Sequence, residues 1–351
     1  MSRFIRLTRA AAITAAVACS LLAAGKEAAN AQAVTTLSVA SWAGPNHAIN
    51  AAGWKRIAEM VEQKSDGTLK LDVNFPPVNP RVMYDRVAEG VSDMAWGFNG
   101  YTPGRFDTYL IAELPGLGVG SEGASIAYWR THEKFLASAN EYRSVRLLSL
   151  FAQPPSVIHT RRQINELADL KGLKIRVGGG VQAEVAKRLG MVGVQAPVGE
   201  AYQMIRDGVV DGTFFPTETA ISFKLNEVAP HQLGFKEGLF GAAYFVVMNQ
   251  AKYDKLSPAH QKVIDEVSGE VMAGTFGRAW DESEKAAISR LQPSGSGGYR
   301  TAPAAMSTEV MKTLQPIDEM FLQGAARRNV DGKAALTFMR EQASQFATAG
   351  R

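Results

Sequence analysis

The sequence predicts an α/β protein built in two parts. Three observations carry that expectation. Strand-like and helix-like segments alternate along the chain, its 351 residues exceed the roughly 150 of one domain, and one unbroken helical pattern is longer than such a domain. Alternation of this kind favours mainly parallel sheets with helices on their faces. A composition of 46% hydrophobic and 21% charged residues belongs to an ordinary globular protein and excludes disordered, collagen-like and disulfide-stapled classes.

Taken in order, the elements begin with a strand over Thr36 to Ser41, stopped by Gly44-Pro45. Ala48 to Ser65 reads as a helix because Ala52, Ile57, Ala58, Met60 and Val61 fall on one face, and Asp66-Gly67 ends it. Strands follow over Leu69 to Phe75 and Met94 to Phe98, with a helix over Val82 to Ala88 between them. Leu147 to Phe151 and Val157 to Thr160 are strands separated by Pro154-Pro155.

The second half repeats the pattern. Strands are expected over Leu173 to Val177, Val209 to Phe215 and Ala242 to Met248, and helices over Val181 to Leu189 and Ala201 to Asp207. From Ser257 to Gln292 the helical pattern meets only Gly269, Gly274 and Gly277, and Ser257-Pro258 is a start signal with Ser as N-cap and Pro at the first helical position. At 1.5 Å per residue such a helix is roughly 50 Å long, enough to span both parts. Ser294 to Gly298 is a loop, and Ser307 to Leu322 and Lys333 to Phe346 are closing helices.

The amino terminus has a different character. Arg3, Arg6 and Arg9 precede an apolar run from Ala10 to Ala24, and Ala29-Asn30-Ala31 offers small residues at the two positions a signal peptidase reads. Residues 1–31 are therefore expected to be a cleaved secretory signal. The run falls short of the roughly 20 apolar residues that span a bilayer. Cys19, the sole cysteine, lies inside it, so the mature chain is expected to lack thiol catalysis, thiolate metal sites and disulfides. The segment carries four basic residues and one acid, and removing it from the totals of 38 and 34 leaves 34 basic against 33 acidic residues. A nucleic-acid partner is not expected from so even a balance.

Chemical motifs are few. Gly178-Gly179-Gly180-Val181-Gln182-Ala183 fits the dinucleotide pattern G-x-G-x-x-A, with Glu200 about twenty positions on. It arrives mid-chain, however, and Gly190 to Val198 shows no clear second strand. A glycine-rich turn that bares amides at a helix start, where an anionic group is favoured, is the simpler reading. The histidines are scattered, with no H-E-x-x-H and no G-x-S-x-G elbow, so neither a metal centre nor a nucleophile is indicated. His47 alone stands out, because it follows the first strand where α/β ligands bind.

Five blocks in order, TLSVASWAGPNHAIN, GVSDMAWGFNGYTPGRF, LADLKGLKIRV, YQMIRDGVVDGTFFPTE and KYDKLSPAHQKVIDEVSGE, resemble the solute-binding proteins of tripartite ATP-independent periplasmic (TRAP) transporters, the DctP family. The resemblance spans nearly the whole mature chain. It implies a two-lobed periplasmic-binding-protein-like fold: residues 34–154 with 242–256 as one lobe, 155–241 as the other, 257–292 as the bridging helix and 293–351 as helices packed on the lobes. It also implies an organic-acid ligand, delivery to membrane permease subunits, a monomer, no cofactor and no catalysis. An exported enzyme acting on a small carboxylate is the alternative reading.

Residue by residue, Arg176 in KIRV matches the family arginine that pairs with a ligand carboxylate. A guanidinium suits that task because it presents a planar fork and keeps its charge. An internal ion pair with Glu184 or Glu200 is the competing account. Where many members have Asn after the V-D-G step, this chain has Phe215, and Ser156 to His159 lacks the arginine some members place there. Trp42, Trp96, Phe98, Asn99, Phe214, Phe215 and His47 are the further expected ligand contacts. So aromatic a set points to a monocarboxylate with an aromatic or apolar body.

Overall fold

A computed structural model describes residues 34–102, 104–294 and 297–347. The expected signal segment and Cys19 lie outside the described residues.

In the first lobe, β1 (Thr35–Ala40), α1 (Lys55–Lys64), β2 (Leu69–Asn74), α2 (Met83–Ala88) and β3 (Met94–Phe98) follow one another, and α3 (Ser121–Thr131) and β4 (Arg146–Ala152) complete it. A π-helical stretch, Ile49–Trp54, leads into α1 and buries Trp54. The chain then enters the second lobe: β5 (Val157–Thr160), β6 (Lys174–Val177), α4 (Val181–Arg188), β7 (Val192–Gln195), α5 (Ala201–Arg206), β8 (Gly212–Phe215), α6 (Thr217–Ser222) and β9 (His231–Gly234). It returns through β10 (Ala243–Met248), and α7 (Gln250–Asp254), α8 (Pro258–Val267), α9 (Gly269–Arg290), β11 (Gly298–Thr301), α10 (Ala304–Leu314), α11 (Asp318–Arg327) and α12 (Gly332–Ala347) close the fold.

The sheet orders are β2-β1-β3-β10-β4 and β11-β9-β5-β8-β6-β7. Both sheets are mixed and mainly parallel, as expected, with one strand in each running against the others. The strands that follow a crossing, β5 and β10, run antiparallel to both their neighbours, while pairs such as β1 with β2 and β6 with β7 are parallel. The crossing segments lie side by side: Gln153 N donates to Ala242 O (3.1 Å) and Ser156 N to Phe240 O (2.9 Å).

The single helix expected over 257–292 is two. Ser268 is extended (ψ −174°) and Gly269 adopts φ +62°, a left-handed conformation that suits glycine, so the α-helical ladder cannot run through. The start signal operates as expected, with Ser257 Oγ accepting from His260 N (3.2 Å). Only α9 bridges the lobes. Its 22 residues make about 33 Å, and it packs on α3 and β4 of one lobe and α6 of the other.

Two further differences have local causes. The stretch expected to lack a strand forms β7, paired in parallel with β6 from Lys174↔Val192 to Val177↔Gln195. The closing segment contains β11, paired with β9, and its first helix breaks at Gln315–Ile317, where Pro316 interrupts the ladder. Among the described residues no helix is long and apolar enough to cross a membrane.

Candidate functional site

Between the lobes lies a cavity of about 400 Å³, counting its open mouth, which is within the range of small-ligand sites. The first lobe contributes Trp42, His47, Phe98 and Tyr101, all at or just beyond the carboxyl ends of β1 and β3. The second contributes Arg176, Gly178, Gln182 and Phe215 from β6, the glycine turn, α4 and β8, with Val198, Thr219 and Phe223 beside them. Each crossing supplies one more residue: Gln153, Tyr244 and Trp280.

Arg176 is 1% exposed. Its Nε donates to Ala196 O (2.7 Å), which fixes the plane of the guanidinium, while Nη1 and Nη2 are buried without a hydrogen-bond partner among the described residues. Burial pulls its pKa down, and the nearby Tyr101 hydroxyl opposes that shift without making a well-formed hydrogen bond to it. The internal ion pair is not formed, since Glu184 instead holds Arg188 at 2.7 Å. The guanidinium carbon lies 4.7 Å from the centroid of Phe215, an attractive cation–π stack. Two unpaired donors of a fixed positive fork, deep in an aromatic cleft, are matched by a carboxylate.

Of the other expected contacts, Trp42, Phe98, His47 and Phe215 line the cavity, and Trp96, Asn99 and Phe214 do not. Trp96 is fully buried behind Trp42, ring centroids 4.7 Å apart, and its indole N–H donates to Ser41 Oγ (2.8 Å). Asn99 spends its amide on Tyr142 Oη (2.6 Å) inside the first lobe. Phe214 alternates with Phe215 along β8, so its side chain points to the opposite face, where it meets Phe240 edge-on at 5.2 Å. Tyr101, an aromatic residue the sequence also places near the cleft, lines the cavity, whereas Tyr244, Gln153, Gln182 and Trp280 reach it without having been expected there.

Polar side chains knit the walls. Tyr101 Oη accepts from Val198 N (3.1 Å) and so joins the two lobes. Tyr244 Oη donates to Gln153 Oε1 (3.2 Å), and Gln153 Nε2 to Ser156 Oγ (2.7 Å). Gln182 Oε1 accepts from Gly178 N (2.7 Å). His159 sits behind β8 with Nε2 2.9 Å from Phe215 O, and burial holds its pKa down to about 4.

The glycine turn receives an acidic side chain, but it is the protein's own, Glu113. Gly179 (φ +127°) and Gly180 (φ +58°) need glycine conformations, and a Cβ on Gly180 would run into Glu113 Oε2. That carboxylate, from the first lobe, accepts from Val181 N at the start of α4 (3.1 Å) and through its other oxygen from Ala243 N (3.3 Å). Burial outweighs those two donors and pushes the Glu113 pKa up to about 8. Among the described residues no three His, Cys, Asp or Glu side chains gather as metal ligands.

Comparison with known proteins agrees with this architecture. The family model described as bacterial extracellular solute-binding protein, family 7 (DctP), matches residues 39–323. The outer membrane transporter protein TsaT of Comamonas testosteroni is 30% identical over 312 residues, 88% of this chain and 92% of the relative. A TRAP periplasmic solute-binding protein of Bordetella bronchiseptica, solved with bound (R)- and (S)-mandelate, superposes with a TM-score of 0.85 at 34% identity, covering 89% of this chain and 99% of that one. A TRAP solute-binding protein of Rhodoferax ferrireducens in complex with copurified benzoate gives a TM-score of 0.81 at 26% identity, covering 91% and 100%.

Proposed function

We propose a function that starts from one fact: the chain belongs to the bacterial extracellular solute-binding proteins of family 7, the DctP family of TRAP transporters. In this reading its cleft captures a small organic acid, a monocarboxylate with an aromatic or branched apolar body, and delivers it unchanged to the membrane subunits of a TRAP permease. The protein works as a monomer in the periplasm, reached through a signal peptide cut after Ala31. Residues 34–154 with 242–256 and residues 155–241 are the two lobes that close as a hinge on the ligand.

The observation that carries the reading is the buried guanidinium of Arg176 with Nη1 and Nη2 unpartnered beside the ring of Phe215. The carboxylate takes the fork, and the ring of the acid lies among Phe215, Phe98, Tyr101, Tyr244 and Trp42, with Trp96 as the support behind Trp42. The mandelate and benzoate held by the two solved relatives are acids of this shape. Sugar acids and dicarboxylates fit less well, because hydroxyls and second charges buried against aromatic rings lose their water without gaining partners.

Calorimetric titration with mandelate, benzoate, succinate and a hexuronate tests the proposal. The aromatic acids are expected to bind, their neutral amides are not, and Arg176→Lys and Arg176→Ala are expected to weaken binding by at least about tenfold, or 1.4 kcal/mol. A folded Arg176→Ala protein with unaltered affinity removes Arg176 from the role. Tight binding of succinate or the hexuronate without heat from either aromatic acid removes the ligand class.

A further inference from the structure

The cavity has a second polar group on its opposite lobe. His47 follows β1, is 4% exposed and lines the cavity across from Arg176. Its ring is enclosed by Trp280, Trp96, Trp42 and Phe223, with centroids 5.2, 5.6, 6.1 and 6.3 Å away. None of these is the ring that stacks on Arg176, which is Phe215. Ile49 N donates to His47 Nδ1 (3.3 Å), and this is the ring's one hydrogen bond among the described residues. An acceptor Nδ1 puts the proton of the neutral ring on Nε2. Burial holds the His47 pKa down to about 4, so the ring is neutral at physiological pH. The indole N–H of the neighbouring Trp42 is buried with no partner among the described residues.

We propose that His47 Nε2–H reads a hydrogen-bond acceptor on the body of the ligand, so that the cavity favours an aromatic carboxylate bearing a ring oxygen, a hydroxy- or oxo-substituted acid, over the unsubstituted one. The inference rests on the function proposed above and narrows its ligand class. A ring hydroxyl offers lone pairs to a donor that a plain hydrocarbon ring leaves unpaired, and an unpaired buried donor lowers affinity. A second carboxylate at the same place would give up its hydration for one neutral donor among aromatic rings. The group that welcomes a hydroxyl therefore discriminates against a dicarboxylate.

Calorimetry with benzoate, 3-hydroxybenzoate and 4-hydroxybenzoate on the wild type, His47→Phe and His47→Gln tests this, with circular dichroism reporting the folding of each variant. One hydroxybenzoate is expected to bind the wild type about tenfold tighter than benzoate. His47→Phe is expected to bring that ratio to about twofold or less while still binding benzoate, and His47→Gln, which keeps an N–H donor, to retain part of it. A wild type that binds benzoate as tightly as both hydroxy acids overturns the inference whether or not the variants fold. So does a folded His47→Phe protein that keeps the full ratio. Binding of benzoate that Arg176→Ala abolishes, without any preference for a hydroxy acid, removes this inference and leaves the proposed function standing, whereas no binding of any of the three acids removes both.

Discussion

Asp281 and Glu284, one turn apart on α9, cap the starts of helices in different lobes. Asp281 accepts from Ser121 N (2.6 Å) and Glu122 N (2.9 Å) at the start of α3 in the first lobe. Glu284 accepts from Thr217 N (2.9 Å) and Glu218 N (2.7 Å) at the start of α6 in the second. Just before Asp281 on the helix, Trp280 lines the cavity, and its indole N–H donates to Glu218 Oε2 (3.3 Å). One rigid helix thus fixes both lobes and a wall of the site by satisfying amides that helix starts leave open.

Replacing either acid by Ala removes a carboxylate from a helix start, a loss of about 0.5–2 kcal/mol. Asp281→Ala and Glu284→Ala are each expected to lower Tm by roughly 2–4 °C in thermal unfolding followed by circular dichroism. Glu284→Ala should also weaken ligand binding, because α6 carries Thr219 at the cavity while Asp281 anchors a helix remote from it. Equal loss of affinity in both variants would show that the helix is not a divided tie.

Stability should fall as pH rises from near neutrality toward 8. Burial pushes Glu113 up to about 8 and Glu284 up to about 7, so the folded state keeps protons that the unfolded chain releases near the ordinary carboxyl pKa of 4.5. The folded state therefore binds more protons across that window, and its stability declines with rising pH until the folded pKa is passed. The buried histidines work in the opposite direction at lower pH. His47, His132 and His159 are held down to about 4, so the unfolded chain takes up protons first as pH falls below 6.5. Tm measured between pH 6.5 and 8.5 should drop in the wild type and drop less in Glu113→Gln. An unchanged slope in that variant would mean that Glu113 is ionised in the fold.

What the sequence makes legible follows from how local each signal is. Arg176 can be found because a strand ending in glycines announces where a side chain meets a cleft, and the structure buries it there with two free donors. Phe214 and Phe215 cannot be told apart, since β8 is buried on both faces and its one polar residue, Thr213, is as buried as the phenylalanines, so alternation does not set the phase. Trp280 and Tyr244 carry the spacing of core residues, and a closed cleft lined with rings has the same apolar pattern as a core. The break in the long helix depends on Gly269 taking φ +62°, a choice made by packing against Trp129, which a Cβ would approach to 3.1 Å. Glu113 gives no local signal at all, because its partners Val181 and Ala243 lie 68 and 130 residues away.

Ligand binding should be visible in intrinsic fluorescence, and the placement of the five tryptophans assigns the signal. Trp42 and Trp280 line the cavity, whereas Trp54 packs on Phe276 and Trp129 on His132, away from it. Titration with benzoate is expected to change the emission of the wild type and of Trp129→Phe alike. Trp42→Phe and Trp280→Phe should each lose part of the change. A full signal in both cavity variants, or its loss in Trp129→Phe, would place the reporting ring elsewhere.

Phe215 gives the cavity wall beside Arg176 its aromatic character. It stands with its ring 4.7 Å from the Arg176 guanidinium carbon and lines the cavity, while its carbonyl is 2.9 Å from His159 Nε2. An aromatic ring stacked against it gains about 0.5–1.5 kcal/mol beyond the area buried, and the cation–π contact that steadies the guanidinium adds up to about 2 kcal/mol in so dry a place. Phe215→Asn removes both and leaves an amide able to pair with the arginine's free nitrogens or with hydroxyls of a ligand. Affinity for benzoate and mandelate is expected to fall by about tenfold or more, whereas succinate or a hexuronate should lose less or gain. Phe215→Leu separates the two contributions, because it keeps an apolar wall but no π face. If Leu binds the aromatic acids as well as Phe does, the ring acts as bulk alone and neither stack contributes.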